Sequence, residues 1–250
     1  MNRLQNRSIR LLLRSFQLIA LFINIESFAN CNKLYSMSIS DSASYTKLKR
    51  QVEFLRDSIS SRYKIKNNLE RAIELKKTEE LLLNTYYTTL IPKWLGTKWA
   101  FYGETQFPGD SSIACGHFVV TTLKHLGFQI DSSYEMATNF SAYMVNSLCD
   151  TSYKVVKASE MIEIVKKSPD DVWVVGLRNH SGLLIKYNGV IHFVHSSCTF
   201  PTMVVDELVE ESSTFNGSNI FVAGPLFKNN SLVEKWILGK KLLYTKKHKK

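Results

Sequence analysis

The sequence predicts an α+β fold in which helices come first and a cysteine-bearing helix then packs on an antiparallel sheet. Apolar residues recur at three- and four-residue spacing through residues 42–90 and again after Cys115, as they do along one face of a helix. Short runs rich in valine and isoleucine fill residues 172–197, which is typical of strands. A helix that carries the cysteine and is followed by an antiparallel sheet is an α+β arrangement.

The first thirty residues have the pattern of an export signal. A basic stretch through Arg14 precedes an apolar run at residues 16–25, which is too short to cross a bilayer as a mature helix. Two processing sites fit: cleavage after Ala29, or a lipobox-like end in which Cys31 becomes the lipidated first residue. Both predict an exported protein of the cell envelope, anchored to the membrane through Cys31 in the second case. A buried amphipathic N-terminal helix is the structural alternative.

The distribution of charge argues against nucleic-acid binding. The chain carries a net charge of +10, of which residues 1–30 contribute +3 and residues 235–250 contribute +7, so residues 31–234 carry no net charge. A nucleic-acid-binding protein is expected to present a basic face on its folded body. Residues 235–250 are therefore interpreted as a Lys-rich solvated tail, with attraction to an anionic surface as the alternative.

Residues 31–93 are interpreted as a tether followed by a helical segment. Two sets of apolar residues mark the buried faces of its helices: Leu48, Val52, Leu55 and Ile59, then Leu69, Ile73, Leu82 and Tyr86. Pro92 is expected to end the helical run. Packing against the main domain, docking a partner and covering a cleft are all open roles for this segment.

Residues 94–234 are expected to form the main domain. Its predicted elements are helices at 115–126 and 158–167 and strands at 172–178, 180–187, 190–197 and 219–223. Gly127 lies where a helix C-terminus favours glycine. Asn188-Gly189 is a strong signal for a two-residue hairpin turn between two of the strands.

Cys115 is the candidate nucleophile because it lies where its helix begins. Unpaired N–H groups at a helix N-terminus favour the thiolate. The alternative is a small buried apolar residue, which is what most free cysteines are. The six histidines all follow Cys115 in the chain; His117 and His125 lie on other faces of the same helix, and His248 lies in the Lys-rich tail. The base must therefore come from the hairpin.

Hairpin geometry chooses among the hairpin histidines. A two-residue turn pairs Tyr187 with Val190, and alternation then places His180 and His195 on one face as diagonal neighbours. His192 points to the opposite face. We therefore expect His180 to be the base, His195 its orienting partner and His192 structural, whereas a bulge in the hairpin would exchange the last two.

The cysteine pattern indicates no metal site, and the sequence gives no reason to expect a cofactor. Four cysteines are present, at Cys31, Cys115, Cys149 and Cys198, and their spacing is not that of a metal centre. Cys149 and Cys198 could pair in an oxidising compartment, a question that the sequence leaves open.

Three segments within residues 94–200 resemble the NlpC-like branch of the papain-type cysteine peptidases. They are Trp99-Ala-Phe-Tyr-Gly-Glu-Thr105 with Ala114-Cys-Gly-His-Phe-Val119, then His180-Ser-Gly-Leu-Leu-Ile185, then Phe193-Val-His-Ser-Ser197. The resemblance implies a papain-like core and hydrolysis of an amide bond, often in peptidoglycan peptides. It implies attack by Cys115, protonation of the leaving amine by His180, and orientation of His180 by His195.

The resemblance also implies residues around the oxyanion and substrate. The Cys115 backbone N–H would stabilise the oxyanion, aided by Tyr102 or Gln106. Ala114 and Gly116 stand where the family has Asp and Ser, so the family's usual substrate does not follow from the resemblance. An acyltransferase using the same Cys-His dyad and a non-catalytic peptide-binding surface lipoprotein are the alternative functions.

Overall fold

A computed structural model describes residues 42–244, which belong to one compact unit. The predicted signal segment, Cys31 and most of the tether lie outside the described residues, as do residues 245–250. In residues 42–244, none of the helices combines the length and hydropathy needed to cross a bilayer.

The helical segment consists of two long helices and a short third one. Helix α1 is Ser42–Lys64 and helix α2 is Asn68–Asn84, which begins with a capping box between Asn67 and Glu70. A π-helical turn, Thr85–Leu90, then leads directly into α3, Ile91–Trp94. The expectation that Pro92 ends the run is wrong: Pro92 lies in the first turn of α3, where its missing N–H is tolerated.

The buried face of α2 differs from the predicted one. Leu82 and Tyr86 are buried as expected, but Leu69 and Ile73 are 72% and 49% exposed. Glu74 and Glu79 occupy the inward positions instead. Glu74 pairs with Lys66, and Glu79 pairs with Lys76 and Lys228 at 3.1 and 3.0 Å. Apolar spacing alone missed this face because each buried carboxylate has a cation beside it.

The main domain is built on a six-stranded antiparallel sheet, which confirms the α+β fold class. The strand order is β2-β7-β3-β4-β5-β6. The strands are β2 Tyr153–Val155, β3 Asp171–Leu177, β4 Ser181–Tyr187, β5 Val190–Ser196, β6 Val204–Leu208 and β7 Phe221–Pro225. A separate parallel pair joins β1, Gln129–Ile130, to β8, Lys241–Leu242.

Helices pack against this sheet. Helix α4, Cys115–His125, lies against β4 and β5, and α6, Ser141–Leu148, lies against β3 and β7. The remaining helices are α5 Ser133–Thr138, α7 Ala158–Lys167, α8 Ser213–Asn216 and α9 Asn230–Ile237. A cluster of buried side chains from α7, α8 and the central strands includes Trp173, Leu184, Phe193, Phe215 and Phe221.

The folded body extends into the Lys-rich segment that begins at residue 235. Helix α9 runs to Ile237, and the Trp236 indole donates to the Leu126 carbonyl at 2.7 Å. Leu242 is buried in the β1–β8 pair. Apolar residues between the lysines therefore anchor residues 235–242, in contrast to the solvated tail interpretation.

The helical segment packs against α4. The Trp94 indole donates to the Tyr45 hydroxyl at 2.6 Å, and that hydroxyl lies 3.0 Å from His125 Nδ1 at the end of α4. Burial, together with Lys49 and Lys124, lowers the pKa of His125 to about 3, so its ring is neutral and accepts the hydroxyl proton. Tyr86 and Thr122 add a buried hydroxyl pair at 2.6 Å. The helical segment thus holds α4 in place.

Replacing Tyr45 with phenylalanine should destabilise the fold by about 1–3 kcal/mol, because the Trp94 N–H and His125 Nδ1 would lose a shared buried partner. Chemical denaturation measures the change. Tyr153→Phe is the matched control: its ring is 38% exposed and packs on Trp173, and phenylalanine keeps that contact. Equal stability of the two variants would contradict the assigned role of the Tyr45 hydroxyl.

Candidate active site

Cys115 is the first residue of α4. Ala114 precedes it in an extended conformation (φ −78°, ψ 160°), and its N–H donates to the Gly103 carbonyl at 2.7 Å. The Ile113 N–H likewise donates to the Lys98 carbonyl at 2.8 Å. These bonds fix the direction in which the chain enters the helix. The half-buried thiol therefore lies at the positive end of α4.

Gly116 allows α5 to approach the start of α4. A Cβ atom at this position would lie 2.0 Å from the Ala137 carbonyl oxygen. Any side chain here would push α5 away. Glycine at position 116 is therefore required by packing.

The β4–β5 hairpin brings His180 and His195 together. Asn188 and Gly189 adopt φ values of +51° and +80°, and Tyr187 pairs with Val190 as the turn predicts. The predicted register is confirmed from the turn to the Leu183–Val194 pair, and no bulge interrupts these five pairs. His180 Nε2 lies 2.8 Å from His195 Nδ1, and the two rings are 8% and 0% exposed.

Gly182 makes room for this histidine pair. A Cβ atom on Gly182 would lie 2.9 Å from the His195 Cβ atom and 2.7 Å from the Phe193 ring. Phe193 stacks on His195 with ring centroids 4.2 Å apart. The His195 imidazole is thus held between an aromatic ring and the neighbouring strand.

His192 lies elsewhere, as the alternation of the strand requires. It pairs with Ile185 across the hairpin, and its Nδ1 lies 2.8 Å from Asp206. Tyr87 of the π-helical turn packs against its ring at 5.2 Å. This histidine joins the sheet to the helical segment.

The thiol and His180 favour the charged forms of each other. Burial opposes ionisation of Cys115, but interaction with the His180 ring and hydrogen bonds from Ser181 outweigh it and lower the thiol pKa to about 7. Burial also opposes protonation of His180, but Cys115 and Cys198 raise its pKa to about 9. Between these two values the pair exists as thiolate and imidazolium. Since His180 Nε2 is bonded to His195, its Nδ1 is the nitrogen that faces the thiols.

His195 is neutral and acts as an acceptor. Burial and the charge of His180 lower its pKa to about 3. Its Nε2 lies 3.4 Å from the Glu207 carboxylate, and a carboxylate can only accept, so Nε2 carries the proton. Nδ1 is then free to accept from His180. Glu207 thus selects the His195 tautomer that holds His180 in place.

Three residues at the site were missed by the sequence: Ser181, Glu207 and Cys198. Glu207 lies on β6 opposite Phe193, which makes it a diagonal neighbour of His195. The acidic pair Asp206-Glu207 masked this strand because such residues are uncommon in strands. Pairing of β5 with a following strand is the signal that would have identified Glu207.

Cys149 and Cys198, whose pairing the sequence left open, do not form a disulfide with each other. Cys149 is buried beside Gly224, where an added Cβ atom would lie 2.6 Å from the Cys149 Cβ atom. Cys198 is exposed, and its interaction with His180, opposed by partial burial, lowers its thiol pKa. The site therefore contains two thiols and a shared imidazole.

Tyr102 and Gln106 lie outside this cluster. The Tyr102 side chain is 90% exposed and contacts Phe101 edge-on at 4.9 Å. The Gln106 amide donates to the Glu104 carbonyl at 2.9 Å and, with His117 and Lys124, lines a separate cavity of about 200 Å³. Cys115, His180 and His195 are the predicted residues that the structure brings together.

Within residues 42–244, no three His, Cys, Asp or Glu side chains are grouped as metal ligands. No protein-family model, curated protein or solved structure matches this chain.

The alkylation rate of Cys115 should rise with pH through a midpoint near 7, because the thiolate is the reactive form. In His180→Ala the midpoint should move above about 8.5, since burial would no longer be offset by the imidazolium. Iodoacetamide labelling followed by peptide mass mapping separates Cys115 from Cys198. An unchanged midpoint in His180→Ala would show that His180 does not stabilise this thiolate.

His195 and His192 both lie on β5 but face opposite sides of the sheet, so they provide a matched pair of variants. His195→Ala should lower Cys115 labelling at pH 7 by about tenfold, because His180 loses its fixed orientation and its acceptor. His195→Asn, which keeps a side-chain acceptor, should recover part of the rate. His192→Ala should change the rate by less than about twofold, because it lies on the other face. Equal losses in His195→Ala and His192→Ala would indicate damage to the sheet instead.

Proposed function

We propose that the protein is an exported thiol hydrolase of the cell envelope that cleaves an amide bond in a peptide or related amide. The observation that carries the proposal is the convergence of the Cys115 thiol and the His180 ring at the N-terminus of α4, with His180 bonded to a fully buried His195. Interaction with His180 lowers the pKa of the Cys115 thiol to about 7 against the effect of burial. An activated nucleophile needs a lowered pKa, a base within reach and a group that orients the base. All three are present before any substrate binds.

The order of the groups suggests a reaction sequence. The Cys115 thiolate attacks the carbonyl carbon, and charge develops on the carbonyl oxygen near the N-terminus of α4. The Cys115 backbone N–H belongs to the first turn of α4, where N–H groups have no partner within the helix, and it would donate to that oxygen. His180 donates its Nδ1 proton to the leaving amine as the C–N bond breaks, which leaves a thioester on Cys115. His180 then takes a proton from water, which attacks the thioester and regenerates the thiolate.

His195 and Glu207 serve as positioning residues in this sequence. A neutral His195 accepts from His180 Nε2 throughout, so the Nδ1 of His180 faces Cys115 and the substrate at each step. Because His195 stays neutral, His180 keeps its Nε2 proton. The proton that His180 transfers is therefore the one on Nδ1, and it goes to the substrate.

A membership in the NlpC-like branch of the papain-type peptidases is part of the proposal. The cysteine at a helix N-terminus, a histidine directly before β4, a second histidine on the antiparallel strand β5 and their order in the chain all support it. The packing of Gly116 against Ala137 supports a different substrate grip, because a family-type serine has no room there. Peptidoglycan peptides are therefore one substrate class to test among several.

Purified protein should release amines from a panel of peptide amides or from peptidoglycan, with turnover reduced by about 10³-fold or more in Cys115→Ala. Cys149→Ala is the matched control, since Cys149 is a buried thiol beside Gly224 of β7 and has no part in the proposed reaction. Trapping a thioester on Cys115 by mass spectrometry would identify the intermediate.

Three outcomes decide between functions. Faster turnover with added amine acceptors than with water would indicate an acyltransferase. Equal binding of a peptide by the wild type and Cys115→Ala, without turnover of any amide, would indicate a binding module. Equal turnover in Cys115→Ala would contradict the proposed nucleophile.

A further inference from the structure

We infer that Cys198 is a second reactive thiol of this site, and that it forms a reversible disulfide with Cys115 when a hydroperoxide oxidises the nucleophile. The inference goes beyond amide hydrolysis, because it assigns a covalent modification to two residues whatever amide the protein cleaves. It rests on where the chain places Cys198 relative to Cys115 and His180.

The segments that precede the two cysteines are joined directly. The Ser196 hydroxyl donates to the Ile113 carbonyl at 2.7 Å, and both residues are fully buried. Ser196 and Ile113 each lie two residues before a cysteine, Cys198 and Cys115 respectively. Lys98 adds a second link, since it bridges to Ser112 on one side and Met203 on the other. The backbone therefore carries the two cysteines into the same region from adjacent segments.

The side chains complete this arrangement. Both thiols interact with the single His180 ring, and they interact electrostatically with each other. Each sulfur therefore lies beside the same imidazole. Cys198 is exposed on the connection between β5 and β6, so rotation of its side chain is not blocked by a packed core. A disulfide requires Cβ atoms about 3.5–4.5 Å apart. The Ser196–Ile113 hydrogen bond, two residues before each cysteine, holds the two segments side by side for such an approach.

The chemistry follows from the charges. The Cys115 thiolate attacks the distal oxygen of a hydroperoxide, so an S–O bond forms and the O–O bond breaks. The leaving alkoxide or hydroxide takes the proton of the His180 imidazolium and departs as alcohol or water. Cys198 then gives its thiol proton to the neutral His180 ring, which restores the imidazolium and leaves Cys198 as a thiolate. The Cys198 thiolate then attacks the sulfur of the resulting sulfenic acid. The S–S bond forms as the S–O bond breaks, and the leaving hydroxide takes a proton from the His180 imidazolium to become water. Two thiols are oxidised and one hydroperoxide is reduced.

The order of the two steps is set by electrostatics. The negative charge of Cys115 raises the pKa of Cys198, so the second thiol ionises less readily while the first is a thiolate. Conversion of Cys115 to a neutral sulfenic acid removes that charge, whereas His180 still favours the Cys198 thiolate. Cys198 thus ionises more readily once Cys115 has been oxidised to the sulfenic acid. The disulfide would block the nucleophile and protect it from irreversible oxidation to the sulfinic acid.

The test treats full-length protein with hydrogen peroxide, blocks free thiols with N-ethylmaleimide and maps the digested peptides by mass spectrometry. The expected result is a linked Cys115–Cys198 peptide, with Cys149 recovered as its N-ethylmaleimide adduct. Iodoacetamide labelling of Cys115 should fall by about tenfold or more after oxidation and return after dithiothreitol. In Cys198→Ser the same peroxide should produce sulfinic acid at Cys115, and dithiothreitol should restore much less labelling. Cys149→Ser, the matched control, should behave as the wild type.

Absence of the linked peptide, or equal recovery in Cys198→Ser and the wild type, would overturn the inference. A disulfide between Cys115 and Cys149, or between two molecules, would also overturn it. Peptide masses report on this bond independently of turnover. An inactive protein that forms the bond contradicts only the proposed hydrolase, and an active one that does not form it contradicts only this inference.

Discussion

The hydrogen bond between His180 Nε2 and His195 Nδ1 is the constraint on which the site depends. It occupies one nitrogen of His180, so the other must face the thiols. It requires a neutral His195, which its complete burial favours, and a proton on the far nitrogen of His195, which Glu207 favours. The two rings meet only in the register set by the Asn188-Gly189 turn. A slip of one residue would move His195 to the opposite face of β5.

Because the site is buried, the ionisation of Cys115 and of His180 depends strongly on the groups next to them. Desolvation opposes the charge on Cys115 and on His180, so neither would ionise readily alone. Their mutual attraction and the donors of Ser181 offset that cost. A charge pair of this kind exists only while both members and their supports are in place, and here the supports belong to α4, β4 and β5. The helical segment holds the other end of α4, because the Tyr45 hydroxyl is bonded to both His125 and the Trp94 indole.

Local rules explain which features the sequence could predict. The hairpin register follows from a two-residue turn, and the start of α4 follows from apolar spacing, so Cys115, His180 and His195 were identifiable together. Glu207 and Cys198 were not, because their positions depend on β6 and its connection, whose acidic residues disguised the strand. Leu69 and Ile73 were misassigned for the opposite reason: paired carboxylates replaced apolar residues on the buried face of α2, and no single-residue rule reveals such pairing.

The constraints next to the nucleophile also limit how a substrate can be recognised. Gly116 packs against Ala137, and the Ala114 N–H donates to the Gly103 carbonyl. The two positions that flank Cys115 are therefore constrained by backbone packing and offer no side chain that could grip a substrate. In the proposed function, contacts with a substrate must then come from two connections near the thiol. One is residues 95–114, before α4, and the other is residues 197–203, between β5 and β6. These connections are linked to each other, since the Trp99 N–H donates to the Thr202 carbonyl at 3.0 Å. They carry exposed aromatic side chains, with Tyr102 and Phe200 90% and 97% exposed. The residues proposed to perform the chemistry are buried and held in place, whereas the residues available to contact a substrate lie at the surface. Substitutions can therefore alter substrate recognition without altering the catalytic residues.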